Sequence, residues 1–408
     1  MRWRAALARE SAGERLTQFR ELVASAHVLT RNTKYLVAAL ALGILTILPI
    51  SARAVVVTGE LQQALDDLVA TPGGPPGAIA VVQVGNRLQV YTAGIGDLSS
   101  RRRMRPTDHV RAASVAKAFS GAVALSLVDR GVLSLDDTIG ELLPGFNPDW
   151  DAVTLRDLLN HTSGVPTFTT NDDFVDRLIA DPRTPVPPRQ LVEYVAGEDL
   201  EFPAGSRYEY SNTDNILVGL MVEAASGRSY EHQLGSRVLG RLGLRQTSLP
   251  AGYRMPRPFI HGYDVSASGA IEDDSEIVAA GYTWASGGVV STPLELNRFV
   301  RGYVGGALFG GATRAAQLTF VDGGSSDPPG PGSNAAGLAV FRYETDCGTL
   351  YGHTGNIFGY TQFIAATEDG RRSAVVSANE QTSPEVKPQI WEKLSRVNAL
   401  AACAALAD

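Results

Sequence analysis

Ser114-Val115-Ala116-Lys117-Ala118-Phe119-Ser120-Gly121-Ala122-Val123-Ala124-Leu125-Ser126-Leu127-Val128 is a helical run that is apolar on nearly every side. A helix with no polar face is read as buried all round, at the centre of a domain. Two residues depart from that reading. Ser114 opens the run, and Lys117 follows three positions on, one turn away on the same face. A serine at the start of a buried helix has free N–H groups and the positive end of the helix dipole beside it. A lysine drawn out of water there has a lowered pKa and is able to take the serine proton. The plainer alternative makes Ser114 an N-cap and lets Lys117 snorkel outward. Lys is scarce beyond residue 54, at positions 117, 387 and 393 alone.

Outward from this helix the pattern changes period. Residues 59–70 read as a helix with Leu61, Leu65 and Leu68 on one side. Residues 78–84 and 88–93 are β-rich and meet across Gly85-Asn86, a hairpin signal. Residues 361–367 and 373–379 repeat the arrangement around Asp369-Gly370, and a helix follows over 388–402. Between 115 and 245 helical periodicity dominates, at 116–129, 155–159 and 215–225, broken by Pro/Gly loops such as 181–188. Strands at both ends with helices between them predict one sheet assembled from both termini, an α/β (α+β) architecture with an inserted helical region. The Gly/Ser/Pro-rich stretch 322–334 reads as an exposed loop.

The 408 residues are 44% hydrophobic and 19% charged, which excludes a disordered, collagen-like or disulfide-dense chain. Charge is unevenly placed: residues 1–54 carry a net +5 and the remainder a net −12. So acidic a body has no electrostatic means of holding nucleic acid. Leu36 to Ile50 is uncharged, preceded by Arg31 and Lys34 and followed by Ala52-Arg53-Ala54. These are the parts of a secretory signal peptide cut after Ala54, the alternative being an uncleaved anchor, which is the sole route to membrane attachment. The expected organisation is a leader over 1–54 and one domain over 55–408, with its helical part over 115–280. An extracytoplasmic location suits the two cysteines, Cys347 and Cys403, which form either one bridge or two separate buried thiols.

Two further segments carry chemistry. Tyr210-Ser211-Asn212 follows a Pro-Ala-Gly turn and precedes a helix. Tyr210 can pass a proton as phenol or phenolate if a cation lowers its pKa, and Asn212 can donate to a substrate amide. His353-Thr354-Gly355 sits where a strand over 349–352 ends; on an edge strand it places a cation-capable ring and a hydroxyl beside a cleft, and Gly355 admits substrate backbone. There is no G-x-S-x-G elbow. The six histidines include no H-E-x-x-H or close pair, so neither metal nor cofactor is expected.

S-x-x-K, Y-S-N and H-T-G in this order resemble the three active-site motifs of penicillin-recognising serine enzymes. Residues 131–137 (GVLSLDD), 155–164 (LRDLLNHTSG), 203–212 and 281–291 (GYTWASGGVVS) are similar to segments of the class C β-lactamases and secreted D-alanyl-D-alanine carboxypeptidases, so the likeness spans 60–404. It implies a β-lactamase/transpeptidase-like fold. It also implies Ser114 as acylated nucleophile, Lys117 as proton acceptor, Tyr210 as proton relay and Asn212 as the substrate-amide contact. His353, Thr354 and Gly355 hold the leaving-group side, and the N–H groups of Ser114 and Asn356 form the oxyanion hole. Trp284 is implied to line the cleft and Arg342 to bind a terminal carboxylate. His353 stands where class C β-lactamases carry Lys, which resembles the carboxypeptidases and some esterases, as does the placement of Cys347 and Cys403. No Glu has Asn four positions on, the pair with which class A enzymes deacylate. The implied substrates are D-Ala-D-Ala peptides or β-lactams. The leading expectation is a D-Ala-D-Ala carboxypeptidase; the alternatives are a β-lactamase, a carboxylesterase or an inactive wall-binding protein.

Overall fold

The computed structural model describes residues 50–266, 269–385 and 387–407, with side chains from residue 59 onward. Residues 1–49, and with them most of the expected leader, lie outside the described residues. The first helix, α1 (Ile50–Ala70), begins before the expected position 59 and runs through Ala52-Arg53-Ala54. Among the described residues no helix is long and apolar enough to cross a membrane.

The main sheet contains β1 (Gly77–Val84), β2 (Arg87–Asp97), β3 (Arg102–Arg103), β4 (Val321–Asp322), β5 (Ser333–Ala336), β6 (Phe341–Thr345), β7 (Gly348–Ile357), β8 (Tyr360–Ala366) and β9 (Arg372–Ala378). Their spatial order is β3-β2-β1-β9-β8-β7-β6-β5-β4, with every neighbouring pair antiparallel. The two ends of the chain meet at β1 and β9, where Ala78 lies opposite Ala378 and Val81 opposite Val375. The sheet is therefore closed from both termini, as the sequence pattern predicts.

Side-chain alternation along these strands feeds two cores. Ala78, Ala80, Val82, Phe363, Ala365, Ala374 and Val376 pack with Leu61, Leu65 and Leu68 of α1 and with Ile390, Leu394 and Val397 of the last helix. Ile79, Val81, Ile364, Ala366 and Val375 join the core of the opposite face. A strand buried on both faces reads as a continuous apolar run, which is why 78–84 shows so little alternation.

On that opposite face lie α2 (Ala116–Val128), α3 (Asn212–Ser226) and α4 (Pro293–Val304). Every residue of α2 but the last is buried. α4 turns Leu296, Phe299, Val300, Tyr303 and Val304 inward at helical spacing, and Phe299 stacks on Phe119 of α2 with ring centroids 3.6 Å apart. The Thr292 hydroxyl accepts from the Glu295 N–H and Pro293 occupies the first turn, which sets where α4 starts. Thus α2 is held between the sheet and α3, and its first turn is fixed at their junction.

Cys347, in the turn between β6 and β7, is bridged to Cys403 on the final helix, α5 (Pro388–Leu406), with Cα atoms 5.2 Å apart. The bridge closes a loop spanning 56 residues. In the chain-entropy model such a loop is worth about 4 kcal/mol as an upper value. Cys403→Ser should therefore lower the melting temperature, and a thiol assay on denatured, unreduced protein should find no free thiol; two equivalents would contradict the bridge.

Two local expectations are corrected. β7 runs on through Ile357, so His353-Thr354-Gly355 lies inside a strand, and that strand is interior, between β6 and β8. The stretch 322–334 is not an exposed loop throughout: Gly324, Ser326 and Pro328 are buried. Their small side chains let this segment lie against the sheet, where the Tyr208 hydroxyl donates to the Ser325 carbonyl and Thr354 Oγ1 donates to Ser326 Oγ at 2.7 Å.

Candidate active site

Ser114 occupies a single 3-10 turn, Ala113–Val115, that leads into α2. The residue before it, Ala113, has φ +51°, in the left-handed region that costs a side-chain-bearing residue roughly 1–3 kcal/mol. The strained step aims the serine at the sheet. The first N–H groups of such a turn have no acceptor within it, leaving the Ser114 amide available to a ligand oxygen. β7 approaches that amide closely. A Cβ on Gly355 would lie 2.6 Å from the Ala112 carbonyl oxygen and 2.9 Å from the Ser114 nitrogen, so only glycine permits this contact.

Lys117 is completely buried. Its Nζ donates to Ser114 Oγ at 3.2 Å, to Asn212 Oδ1 at 2.7 Å and to the Ser286 carbonyl at 2.9 Å. Burial lowers its pKa to about 7, against the pull of the Asp327 and Asp214 carboxyl groups, which hold it up. A neutral amine keeps two N–H bonds, enough for Asn212 and Ser286, and its lone pair then faces the serine hydroxyl. The sign of the pH effect follows. Base strength at Ser114 is lost as pH falls through about 7 and Lys117 becomes charged, so acylation rates should climb from pH 6 to a plateau above 8. A rate that is flat across this interval, or falling, would contradict the assignment.

Tyr210 lies beside this pair, with Lys117 Nζ 4.9 Å from its ring centroid. Of the two forms open to Tyr210, phenol and phenolate, the phenol is the one favoured at rest. Burial drives its pKa well above the ordinary phenol value, and the nearby Ser114 hydroxyl offsets this only in part. The Tyr210 hydroxyl is buried without a well-formed hydrogen bond, so the group available at Ser114 is a neutral phenol. Asn212, the first residue of α3, accepts from Lys117 and donates through Nδ2 to Thr169 Oγ1 at 3.1 Å, which makes it an anchor for the lysine.

Other expected residues are placed differently. His353 is fully buried on β7 and its pKa falls to about 3 through burial, so it is neutral rather than cationic. Its Nδ1 contacts the Thr354 carbonyl at 2.6 Å, and its ring packs edge-on to Phe341 at 5.0 Å. The Thr354 hydroxyl is committed to Ser326 and to the Pro328 carbonyl. The Asn356 side chain accepts from Thr361 Oγ1 at 2.8 Å, leaving its backbone as the part next to the Ser114 turn. Trp284 does not line a cleft: it is buried, its indole N–H donates to Glu231 Oε1 at 2.7 Å, and its ring packs edge-on to Tyr230. Arg342, on β6, is occupied by Glu344 at 3.1 Å, Asp322 at 3.7 Å and the face of Phe320, so it is no carboxylate receptor here.

Sequence reasoning missed the layer behind Tyr210. His161 Nδ1 lies 2.7 Å from Asp214 Oδ2, Ser163 Oγ donates to Asp214 Oδ1 at 2.6 Å, and the His161 ring sits 4.6 Å from that of Tyr210. Burial holds His161 at about 3 and pushes Asp214 well above the carboxylate range, so the pair is held near neutrality. The available signal was the stretch Asn160-His161-Thr162-Ser163-Gly164 and the position of Asp214 two residues after Asn212. Among the described residues no group of three His, Cys, Asp or Glu side chains is arranged to hold a metal.

The profile of a family described as Beta-lactamase matches residues 61–398. The chain belongs to the beta-lactamase family. Within it, penicillin-binding protein 4* of Bacillus subtilis (strain 168) is 23% identical over 337 residues, 79% of this chain and 72% of that protein. Protein flp of Staphylococcus aureus (strain MRSA252) is 27% identical over 223 residues, 52% of this chain and 43% of that protein, so the match spans less than half of the relative. Among solved structures, a D-stereospecific amidohydrolase from Streptomyces sp. superposes with a TM-score of 0.72 at 28% identity, over 83% of this chain and 98% of that one. A D-amino acid amidase from Ochrobactrum anthropi SV3 has the same TM-score at 24% identity over 84% and 97%, a likeness of fold alone. The fold is thus the one that the motif resemblance implies, and the single sheet read from strands at both termini agrees with it.

Proposed function

We propose that this protein is a serine hydrolase that cleaves amide bonds of D-amino acid derivatives through an acyl-enzyme on Ser114. The observation that carries the reading is the buried Lys117 amine, its pKa brought down to about 7, 3.2 Å from the Ser114 hydroxyl. Lys117 takes the hydroxyl proton as the serine oxygen bonds to the substrate carbonyl carbon. The oxyanion is met by the N–H groups of Ser114 and Asn356. Tyr210, a neutral phenol, donates its proton to the leaving nitrogen and is reprotonated from Lys117. Water then attacks the acyl-serine, its proton returning through the same groups. The D-stereospecific amidohydrolase supports the choice of substrate class. The test is turnover of D- and L-alanine p-nitroanilides, D-Ala-D-Ala peptides, a chromogenic cephalosporin and short esters. Preferential release from the D-anilide supports the reading; inertness toward all four classes would refute it.

A second reading, the D-Ala-D-Ala carboxypeptidase, is favoured by the Cys347–Cys403 bridge, which resembles that of the secreted carboxypeptidases. It requires a cation for the terminal carboxylate, whereas His353 is neutral and Arg342 is paired elsewhere. β-Lactam or ester hydrolysis would use the same Ser114, Lys117 and Tyr210. We also propose an extracytoplasmic location, supported by the bridge and by the leader pattern in the sequence.

A further inference from the structure

Two carboxyl groups act on Lys117, those of Asp327 and Asp214, and their surroundings differ. Asp214 is fully committed: His161 and Ser163 take both of its oxygens inside the core. Asp327 keeps an exposed edge while protein atoms crowd its carboxyl group, and among the described residues it makes neither a hydrogen bond nor an ion pair. Its position is nevertheless fixed. The residues on either side, Ser326 and Pro328, both receive the Thr354 hydroxyl, Ser326 Oγ also donates to the Pro328 carbonyl at 3.2 Å, and the preceding Ser325 carbonyl is held by Tyr208. Thr354 is next to Gly355, whose Cα is packed against the Ser114 nitrogen. A short tethered segment therefore holds one unpartnered carboxyl group near enough to act on Lys117 and Tyr210, beside Ser114.

Apart from Lys117 itself, the charged groups named around that site are acidic. Asp327 acts on Lys117, Tyr208 and Tyr210, and a second exposed carboxylate, Glu385 on the segment after β9, acts on Asp327. The cations that a carboxylate-ended substrate would need are withdrawn, since His353 is neutral and Arg342 is engaged with its own acidic neighbours. Burial and Glu385 both disfavour ionised Asp327, and a ligand cation placed beside it would relieve that cost. A charge-assisted contact of this kind is roughly twice as strong as a neutral one.

We propose that Asp327 is the specificity-determining counter-ion for a substrate ammonium group, so that the site selects amine-bearing donors: D-amino acid amides and short peptides with a free amino end. This rests on the serine-hydrolase reading above. The experiment pairs D-alanine p-nitroanilide with its N-acetyl derivative, on wild type and Asp327→Asn, with active-site labelling by a fluorophosphonate as the control. Wild type should favour the free amine. Asp327→Asn should lose roughly 10- to 100-fold in kcat/KM on it, chiefly through KM, and less than about 3-fold on the acetylated substrate. Labelling of Ser114 should reach the same final extent in both proteins, extent and not rate being the control because Asp327 also acts on Lys117. Equal losses on the two substrates, no loss on the free amine, or a wild-type preference for the acetylated anilide would each overturn the proposal while labelling left the hydrolase reading standing. Failure of wild type to label at Ser114 would remove both.

Discussion

Lys117→Met slows acylation of Ser114 by roughly 10²- to 10⁴-fold while the protein remains folded, because general-base help of this kind is worth that much. Methionine fills a similar volume without a charge to desolvate, and α2 is buried along nearly its whole length, so the packing that defines the helix survives. What disappears is the lone pair 3.2 Å from the nucleophile. The loss should be nearly independent of pH in the variant, since the group that titrates near 7 is gone. Single-turnover acylation followed at pH 6, 7 and 8 checks both features. Unchanged rates would mean that another group accepts the serine proton.

Tyr210→Phe separates the leaving-group step from the attack. A poor leaving amine needs a proton as the C–N bond breaks, and the buried neutral phenol beside Ser114 is placed to supply it. Hydrolysis of an amide should fall by about 10²- to 10³-fold. Hydrolysis of an aryl ester, whose phenolate leaves unaided, should fall far less. Phenylalanine keeps the ring against His161, so the loss reports the hydroxyl rather than the packing. Equal losses on both substrates would assign Tyr210 a positioning role instead.

Much of this architecture was legible in residue patterns, for identifiable reasons. The helix 116–129 is apolar on all faces, and such a helix has no stable place except a core; it is α2. The hairpins at each end carry β-branched runs around turn residues, and they pair through β1 and β9. Ser114 and Lys117 meet through one helical turn, a local signal, whereas Asn212, 95 residues on from Lys117, was placed with them only by the resemblance of the ordered motifs. What was not legible depends on long-range burial. His353 reads as a cation from its type, but its charge is decided by an interior strand and by Phe341 across from it, neither visible in a triplet. Trp284 lies next to a site segment in sequence, yet its indole is claimed by Glu231 and Tyr230 on another helix. The His161–Asp214 pair bridges residues 53 apart, and the strain at Ala113 has no sequence signature because alanine is an ordinary helix former. Small polar residues at 324–328 look like loop, and only the tertiary partners Tyr208 and Thr354 reveal that they are fixed.

The proposed reaction passes through a covalent bond at one oxygen, Ser114 Oγ. Intact-mass measurement and peptide mapping of protein quenched during turnover of a slow D-amino acid ester test it most directly. A single acyl adduct on the peptide containing Ser114, absent from Ser114→Ala, is the result the structure predicts. Hydrolysis that persists in Ser114→Ala, or an adduct mapped to any other residue, would contradict it.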